Sequence, residues 1–377
     1  MAMLIASVPL LAGMSSSQDV SSSRPGERAS LLVSQLGDDR FAIRERATSQ
    51  LIALGVSARA ALEQGLASTD REIRYRSRTV LVIIRDLDFQ QRLKDFAEAS
   101  DVNRDYGLPG WRQFRELVGE SRAAKPLFVG MYRAEAELMR VADKRPKEVG
   151  AAVDRRCLEL RQSVQLLGIR NSTNSVAALL FLVGNKDVPL YRPTNSTLYF
   201  FCQQGDVAQA ARSGPSRVAL HKMLARWLLR EQNVPLRDAM MLAMQHDIQE
   251  ILPRARRTVR DPAVKAYERQ YAILTIAKFG NQADVPELEN LLDDPVVCAE
   301  LRRRDVTVSV QIRDIALAAL LHLDKRDFAE FAYPWLLRQP PYVFNPSTLG
   351  FENDVQRQIA LGKWSKRREQ GSGSGDQ

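Results

Sequence analysis

A short helical pattern recurs along this 377-residue chain and constrains its fold more than any other feature. Each copy has an aliphatic residue followed by Arg, a small residue three positions later, and an aliphatic residue four positions after that. Internal repetition at intervals of tens of residues is typical of helical solenoids. The copies are Ile43-Arg44-Ala47-Leu51, Ile73-Arg74-Ser77-Leu81, Leu236-Arg237-Met240-Met244 (where Met240 replaces the small residue), Arg269-Ala272-Ile276 and Ile312-Arg313-Ala316-Leu320.

The spacing of the pattern predicts a buried stripe along one side of a helix. Positions i, i+4 and i+8 lie on the same face, so Ile43, Ala47 and Leu51 form one ridge. The small central residue lets a neighbouring helix approach closely. Because Arg stands beside the stripe, we expect it to reach an Asp of an adjacent copy, and Asp39 and Asp70 precede the first two copies.

A glycine and a second, shorter helix are expected after each ridge helix. Gly55 follows the first ridge and Gly280 follows a later one, and glycine just past the last apolar residue is a typical helix stop. Apolar positions then resume in residues 58–66 and 285–292. The repeating unit is therefore predicted to be helix, glycine turn, helix and Asp-rich turn.

Residues 38–55, 70–81, 267–280, 285–294 and 310–323 carry these features and resemble HEAT repeats, particularly the short bacterial kind. With residues 108–119, 223–230 and 241–248, the whole chain resembles HEAT-repeat proteins of planctomycete-type bacteria. The resemblance implies an all-α fold, an armadillo-type α-α superhelix. It implies no activity, cofactor or catalytic residue.

The repeats lie at the two ends of the chain, on either side of an irregular helical segment. Apolar residues at helical spacing, such as Trp111 and Phe114 or Val149 and Val153, fill this middle segment. Strand-like alternation is nowhere sustained, and only residues 198–202 (LYFFC) are ambiguous. We expect a signal peptide and Ser-rich linker in 1–28, repeats in 29–90, irregular helices in 91–215, repeats in 216–325, a capping segment in 326–368 and a flexible tail in 369–377.

The apolar run at residues 3–13 has the length of a signal peptide and is too short to span a bilayer. It predicts an exported or periplasmic protein. No Lys or Arg precedes the run, since the first basic residue is Arg24. The alternative is therefore a cytoplasmic protein with a misassigned start or a frayed N-terminus. No other apolar segment is long enough to cross a membrane.

Rare residues argue against several kinds of chemistry. The chain has three histidines and three cysteines, well separated, with no zinc-binding spacing among them. Motifs for nucleotide binding, serine hydrolysis and kinases are missing. We therefore predict no catalytic, metal or cofactor-binding residue. The cysteines are interpreted as buried thiols.

Arginine supplies most of the net charge of +9, with 43 arginines against 11 lysines. Two arginine clusters precede ridge helices, so a solenoid would place both on one edge. Such an edge suits an acidic protein surface or phosphate, since Arg binds either through paired hydrogen bonds. The alternative is a solvated Arg-rich surface. The candidate partner-binding residues are Arg254, Arg256, Arg257 and Arg260 in one cluster and Arg302, Arg303 and Arg304 in the other.

Some aromatic and proline-rich segments leave two interpretations open. Residues 106–111 (YGLPGW) are either a recognition loop or a turn anchored to the core. Trp227 and Trp335 are expected in the core. Residues 339–346 suggest a strap covering the end of the array, or else a docking segment.

The favoured function is a non-enzymatic scaffold or adaptor that binds a protein partner. A nucleic-acid-binding array is the first alternative, and its sharpest form is a DNA glycosylase using Asp238 with Trp227 and Tyr271. An enzyme with an unrecognised site is the second. The sequence predicts neither the partner's identity nor the oligomeric state.

Overall fold

A computed structural model of the protein describes residues 25–372, apart from 102–103, 105, 120–122, 231–233 and 304–305. The predicted signal run at 3–13 and the end of the predicted tail lie outside the described residues. The chain divides into two compact units, Met1–Leu108 and Pro109–Gln377. Both are mostly helical, and the described residues contain one two-stranded sheet.

The first unit is a two-layer helical stack. α1 and α3 pack side by side, α2 and α4 do the same, and each layer packs on the other. The stripes of the first two copies lie inside this stack, with Ala47, Leu51, Ser77 and Leu81 all buried. The helices are α1 (Pro25–Gln35), α2 (Phe41–Leu54), α3 (Arg59–Gly65) and α4 (Arg71–Glu98).

The arginines of the first two copies bind backbone rather than aspartate. Arg44 Nη1 donates to the carbonyls six and five residues earlier, at 2.7 and 3.0 Å. Arg74 Nη1 repeats this arrangement at 2.6 and 2.8 Å. The prediction that an arginine of the pattern binds the Asp70 side chain is wrong. The Asp70 carboxylate instead accepts hydrogen bonds from the amides of Glu72 and Ile73 and so caps α4.

Glutamates provide the ionic link between the two copies. Arg44 Nε lies 3.4 Å from a carboxylate oxygen of Glu72, which also accepts from Arg76 Nε at 2.6 Å. Arg76 in turn donates to Glu45 of the preceding ridge helix at 2.7 Å. The network joins α2 to α4, and its carboxylates are about half exposed, so it contributes modestly to stability.

The second unit contains the remaining helices and the sheet. Its elements are α5 (Trp111–Val118), α6 (Ala124–Ala134), α7 (Ala136–Lys144), α8 (Val149–Leu167), α9 (Thr173–Val183), α10 (Arg192–Gln203), α11 (Gly205–Arg212), α12 (Arg217–Leu228), α13 (Leu236–Gln245), α14 (Leu252–Arg260), α15 (Ala266–Phe279), α16 (Val285–Glu289), β1 (Val297–Arg303), β2 (Val306–Gln311), α17 (Ile312–Leu323) and α18 (Asp354–Ser372).

The last three copies of the pattern form neighbouring helices. α15 packs between α13 and α17, while α14 pairs with α15 and α16 pairs with α17. One expected aspartate partner occurs here, since Arg269 pairs with Asp294 at 2.8 Å, whereas Arg313 pairs at 2.8 Å with Asp354 of α18, in the predicted capping segment. The predicted stripes are confirmed, because the following residues are all fully buried: Met240, Met244, Ala272, Ile276, Ala316 and Leu320.

The glycine stops are confirmed after the first and fourth copies. α2 ends at Leu54, and Gly55 follows with φ +60°, a left-handed conformation that favours glycine. α15 ends at Phe279, and a short helix follows each stop. The second copy departs from the rule, since α4 continues to Glu98 with Phe89 and Phe96 still buried on its inner side. The ambiguous residues 198–202 are helical, within α10.

The structure confirms a mostly helical chain, and the hairpin of β1 and β2 corrects the expectation that strand-like alternation is nowhere sustained. Its antiparallel register pairs Leu301 with Val308, and Val308 and Val310 are fully buried. Alternating valines at 306, 308 and 310 were a period-two signal within an otherwise helical sequence. The strands lead directly into α17.

The chain after α17 packs back onto the ridge helices. Phe344 is fully buried, with its ring 5.7 Å from that of His322 and 5.3 Å from that of Phe328. A buried ion pair between Arg357 Nε and Asp314 Oδ1, 2.7 Å apart, joins α18 to α17. Trp227 is buried as expected, whereas Trp335 is only partly buried. Among the described residues, no helix is long and apolar enough to cross a membrane.

Replacing Arg74 with Met tests the backbone clamp at the start of α4. We expect the free energy of unfolding to fall by about 1–2 kcal/mol, since two carbonyls lose a charged donor. Urea denaturation followed by circular dichroism measures this. Arg71→Met is the matched control, since Arg71 is exposed on the same first turn. Equal losses in the two variants would contradict the clamp.

Candidate functional site

Arg254 corrects the first predicted partner-binding cluster. Its side chain is only 5% exposed, on α14, so it is not available to a partner. It donates to the carbonyls of Leu228, Arg230 and Val234 at 2.6, 3.3 and 3.0 Å. Leu228 ends α12, where helix geometry leaves the last carbonyls without an intrahelical donor, and Arg230 and Val234 lie between α12 and α13. Arg254 is thus a structural residue.

Arg256 and Arg260 pair with carboxylates of their own chain. Arg256 donates to both oxygens of Asp284 at 2.6 and 3.0 Å, and Arg260 to both oxygens of Glu287 at 2.8 Å. Burial opposes ionisation of Asp284, but the bonds from Arg256 and from a backbone amide outweigh it and hold the pKa of Asp284 below its usual value. Arg257 is exposed on the same helix.

The second predicted cluster lies on a strand and not before a ridge helix. Arg302 is exposed in β1, Arg303 is the last residue of that strand, and Arg304 lies outside the described residues. The two clusters therefore do not occupy the same kind of turn. Their positions give no support to a single basic edge that carries both clusters.

Three tyrosines, an arginine and an aspartate instead meet beside the ridge helices. We call this group the tyrosine patch: Tyr199, Arg237, Asp238, Tyr271 and Tyr342. The guanidinium carbon of Arg237 lies 5.8 Å from the centre of the Tyr271 ring, within cation–π distance. Arg237 is exposed and the other four residues are partly buried. The patch combines α10, α13, α15 and the segment before α18.

The ionisable groups of the tyrosine patch influence one another. Burial, with the nearby ionisable groups of Tyr342 and Asp238, raises the pKa of Tyr199 to about 12. Burial likewise raises the pKa of Asp238, against the nearby Arg237 and Arg192. These shifts show a partly desolvated cluster, which is a common property of binding sites.

The patch includes two of the three residues considered for base-directed chemistry. Asp238 and Tyr271 both adjoin Arg237. Trp227 is outside the patch, because its indole is 1% exposed and donates to Asn195 Oδ1 at 2.9 Å. The aromatic side chain expected to stack on an extruded base is therefore committed to the core.

A polar cavity lies next to the patch. We call it the histidine cavity; its volume is about 410 Å³. It combines the end of α11, the start of α12, the end of α13 and the segment that precedes Tyr342. It is lined by Arg212, Arg217, His221, Gln245, His246, Asp247, Pro340 and Pro341.

His246 is the most unusual residue of the cavity. It is 1% exposed, and among the described residues neither ring nitrogen has a hydrogen-bond partner. The side-chain oxygen of Gln245 is likewise buried without a donor. Burial, with the charges of His221 and Arg212, lowers the pKa of His246 to about 4, so the ring is neutral at pH 7. Unpaired buried polar groups are rare and costly.

The charge left uncompensated around the cavity is positive. Neither Arg212 nor Arg217 pairs with a carboxylate among the described residues, whereas Asp247 lies 2.7 Å from Lys278 Nζ. The Nε2 of His221 contacts the Ala211 carbonyl at 2.8 Å, so this nitrogen carries the hydrogen. The cavity thus offers charged donors at the rim and neutral polar groups at its wall.

Sequence reasoning missed this cavity because its histidines are separated by a helix and a turn. His221 and His246 belong to α12 and the end of α13, and only helix packing brings them together. The described residues contain no group of three His, Cys, Asp or Glu side chains suited to a metal ion. Two cysteines are buried and Cys298 is partly buried, so the interpretation as buried thiols is largely confirmed.

Comparisons with protein-family models, curated proteins and solved structures gave no match to this chain.

Burial of His246 makes stability depend on pH. Its pKa is about 4 in the folded chain against 6.5 for the exposed group, so the unfolded chain binds a proton that the folded chain does not. The contribution of His246 to the free energy of unfolding is constant above pH 6.5. It is lost as the pH falls from 6.5 toward 4, and the loss is at most roughly 3 kcal/mol. Urea denaturation at intervals between pH 7 and 4 measures it. His246→Phe is expected to flatten this part of the curve, and an unchanged curve would refute the assignment.

Proposed function

We propose that this protein is a non-enzymatic adaptor that binds a protein partner through the tyrosine patch. The patch carries the proposal because it joins three tyrosines and an arginine on one partly exposed surface. Tyr and Arg are the residue types that, with Trp, most often dominate binding energy at protein interfaces. Partial burial also restrains these side chains before binding, which reduces the entropy cost of association.

A HEAT-type superhelix is the architecture we propose for this adaptor. The support is the side-by-side packing of α13, α15 and α17, each with a buried stripe, together with the pairing of α14 with α15 and of α16 with α17. Stacked repeats share a continuous core and present a long surface without enclosing a deep pocket. The inference from this architecture to an adaptor function is an analogy. The tyrosine patch adds a specific binding surface to it.

Nucleic-acid binding is less favoured by the geometry. It relied on arginines of which Arg254 is buried and Arg256 and Arg260 are paired with acids. Counterion release requires basic side chains that are available to phosphates.

We also propose that the protein is exported, on the basis of the apolar run at residues 3–13. Intact-mass measurement of the protein purified from its native cells tests this. Loss of the run from the mature chain is expected, and an uncut Met1 would refute export.

A patch variant tests the adaptor. Immobilised full-length protein is incubated with extract of the native cells, and retained proteins are compared among the wild type, the Arg237→Ala/Tyr271→Ala variant and the Arg133→Ala control. Arg133 is exposed on α6, outside the patch. We expect a protein retained by the wild type and the control and lost from the double variant. With that protein purified, affinity should fall roughly 30-fold or more in the double variant.

Two results would contradict the proposal. One is the same set of proteins on all three columns, and the other is nucleic acid as the sole material retained. Circular dichroism of each variant shows whether the fold is intact.

A further inference from the structure

We propose that the histidine cavity binds the free C-terminal carboxylate of a peptide. This inference rests on the proposed function, since the peptide would belong to the adaptor's protein partner. It assigns a ligand class to a site that is separate from the tyrosine patch but adjoins it.

The two cavity arginines favour an anionic group. Arg212 and Arg217 are exposed, and among the described residues neither has a carboxylate partner. The acidic side chains nearby are Asp247, which pairs with Lys278, and Glu250, which acts on His221 through its charge. A guanidinium binds a carboxylate through two parallel hydrogen bonds, so a carboxylate fits this rim.

The neutral groups of the cavity require more than an anion. A neutral imidazole has one donor and one acceptor nitrogen, and both are unpaired in His246. The buried oxygen of Gln245 requires a donor. A sulfate or the dianion of a phosphate ester only accepts hydrogen bonds, so it leaves these acceptors unpaired. The last residues of a peptide offer a carboxylate together with amide N–H and C=O groups, and so match the whole set.

The surroundings also suit a chain end. The volume of about 410 Å³ lies within the range of ligand-binding cavities. Pro340 and Pro341 form one side, and the next residue, Tyr342, belongs to the tyrosine patch. The Pro341 carbonyl is held by Lys278 Nζ at 3.0 Å, which fixes this side against α15. A partner whose C-terminus enters the cavity can therefore continue over the patch.

The experiment compares two pools of fluorescein-labelled tetrapeptides of randomised sequence. One pool has free C-terminal carboxylates and the other C-terminal amides. Fluorescence polarisation with the full-length protein at pH 7.5 is expected to show binding of the carboxylate pool and a roughly tenfold or greater loss for the amide pool.

Matched variants assign the binding to the cavity. Arg212→Gln/Arg217→Gln is expected to weaken binding of the carboxylate pool roughly ten- to hundredfold, whereas Arg133→Gln leaves it unchanged. His246→Phe is expected to raise the melting temperature, because two unpaired polar atoms leave the core, and also to weaken peptide binding. A histidine with only a structural role would not change peptide affinity.

Equal binding of the two pools, or binding of neither, would overturn the inference. A third result would also overturn it: inorganic phosphate binds the wild type and not the double arginine variant, and neither peptide pool binds. That result would show a site for simple anions. If a partner binds through the tyrosine patch and its binding is unchanged in the cavity variants, the adaptor proposal stands and this inference is removed. Conversely, if the peptides bind the cavity but no partner depends on the tyrosine patch, the adaptor proposal is removed and peptide binding by the cavity stands.

Discussion

Arginine side chains that donate to backbone carbonyls at helix ends and in the turns between helices hold this structure together. Arg230 binds four such carbonyls in residues 183–188, at 2.6 to 3.4 Å, and Arg254 binds those of Leu228, Arg230 and Val234. Arg44 and Arg74 make the same kind of contact in the first unit. The last carbonyls of a helix have no intrahelical donor, and the carbonyls of the following turn also need donors where they are buried. A planar guanidinium satisfies several of them at once.

This use of arginine changes the meaning of the net charge of +9. Many of the positive groups are engaged with carbonyls or carboxylates inside the fold, and so contribute little to binding a partner. The charge available for recognition lies where an arginine has no acidic partner, as at Arg212 and Arg217, or where it adjoins aromatic rings, as at Arg237. The proposed sites therefore lie at arginines that form no ion pair with a carboxylate among the described residues.

The helical stripes were predictable because local spacing alone determines them: an aliphatic residue at i, i+4 and i+8 forms a ridge whatever it packs against. The partners of Arg254 could not be read from the sequence, since a carbonyl is present at every residue and only the fold selects three of them. The hairpin at Val297–Gln311 had a local signal in its alternating valines, which the helical context obscured. The histidine cavity had no local signal, because packing of separate helices creates it.

NMR of protein labelled with 15N-arginine tests most directly whether buried guanidinium groups are bound to carbonyls at helix ends and in the turns between helices. Arg230 and Arg254 are expected to give resolved Nη–H signals that exchange slowly with water at neutral pH, each absent from the spectrum of the corresponding Arg→Lys variant. Exposed Arg133 should exchange too fast to be seen. Exchange of the Arg230 and Arg254 signals as fast as that of Arg133 would contradict the account.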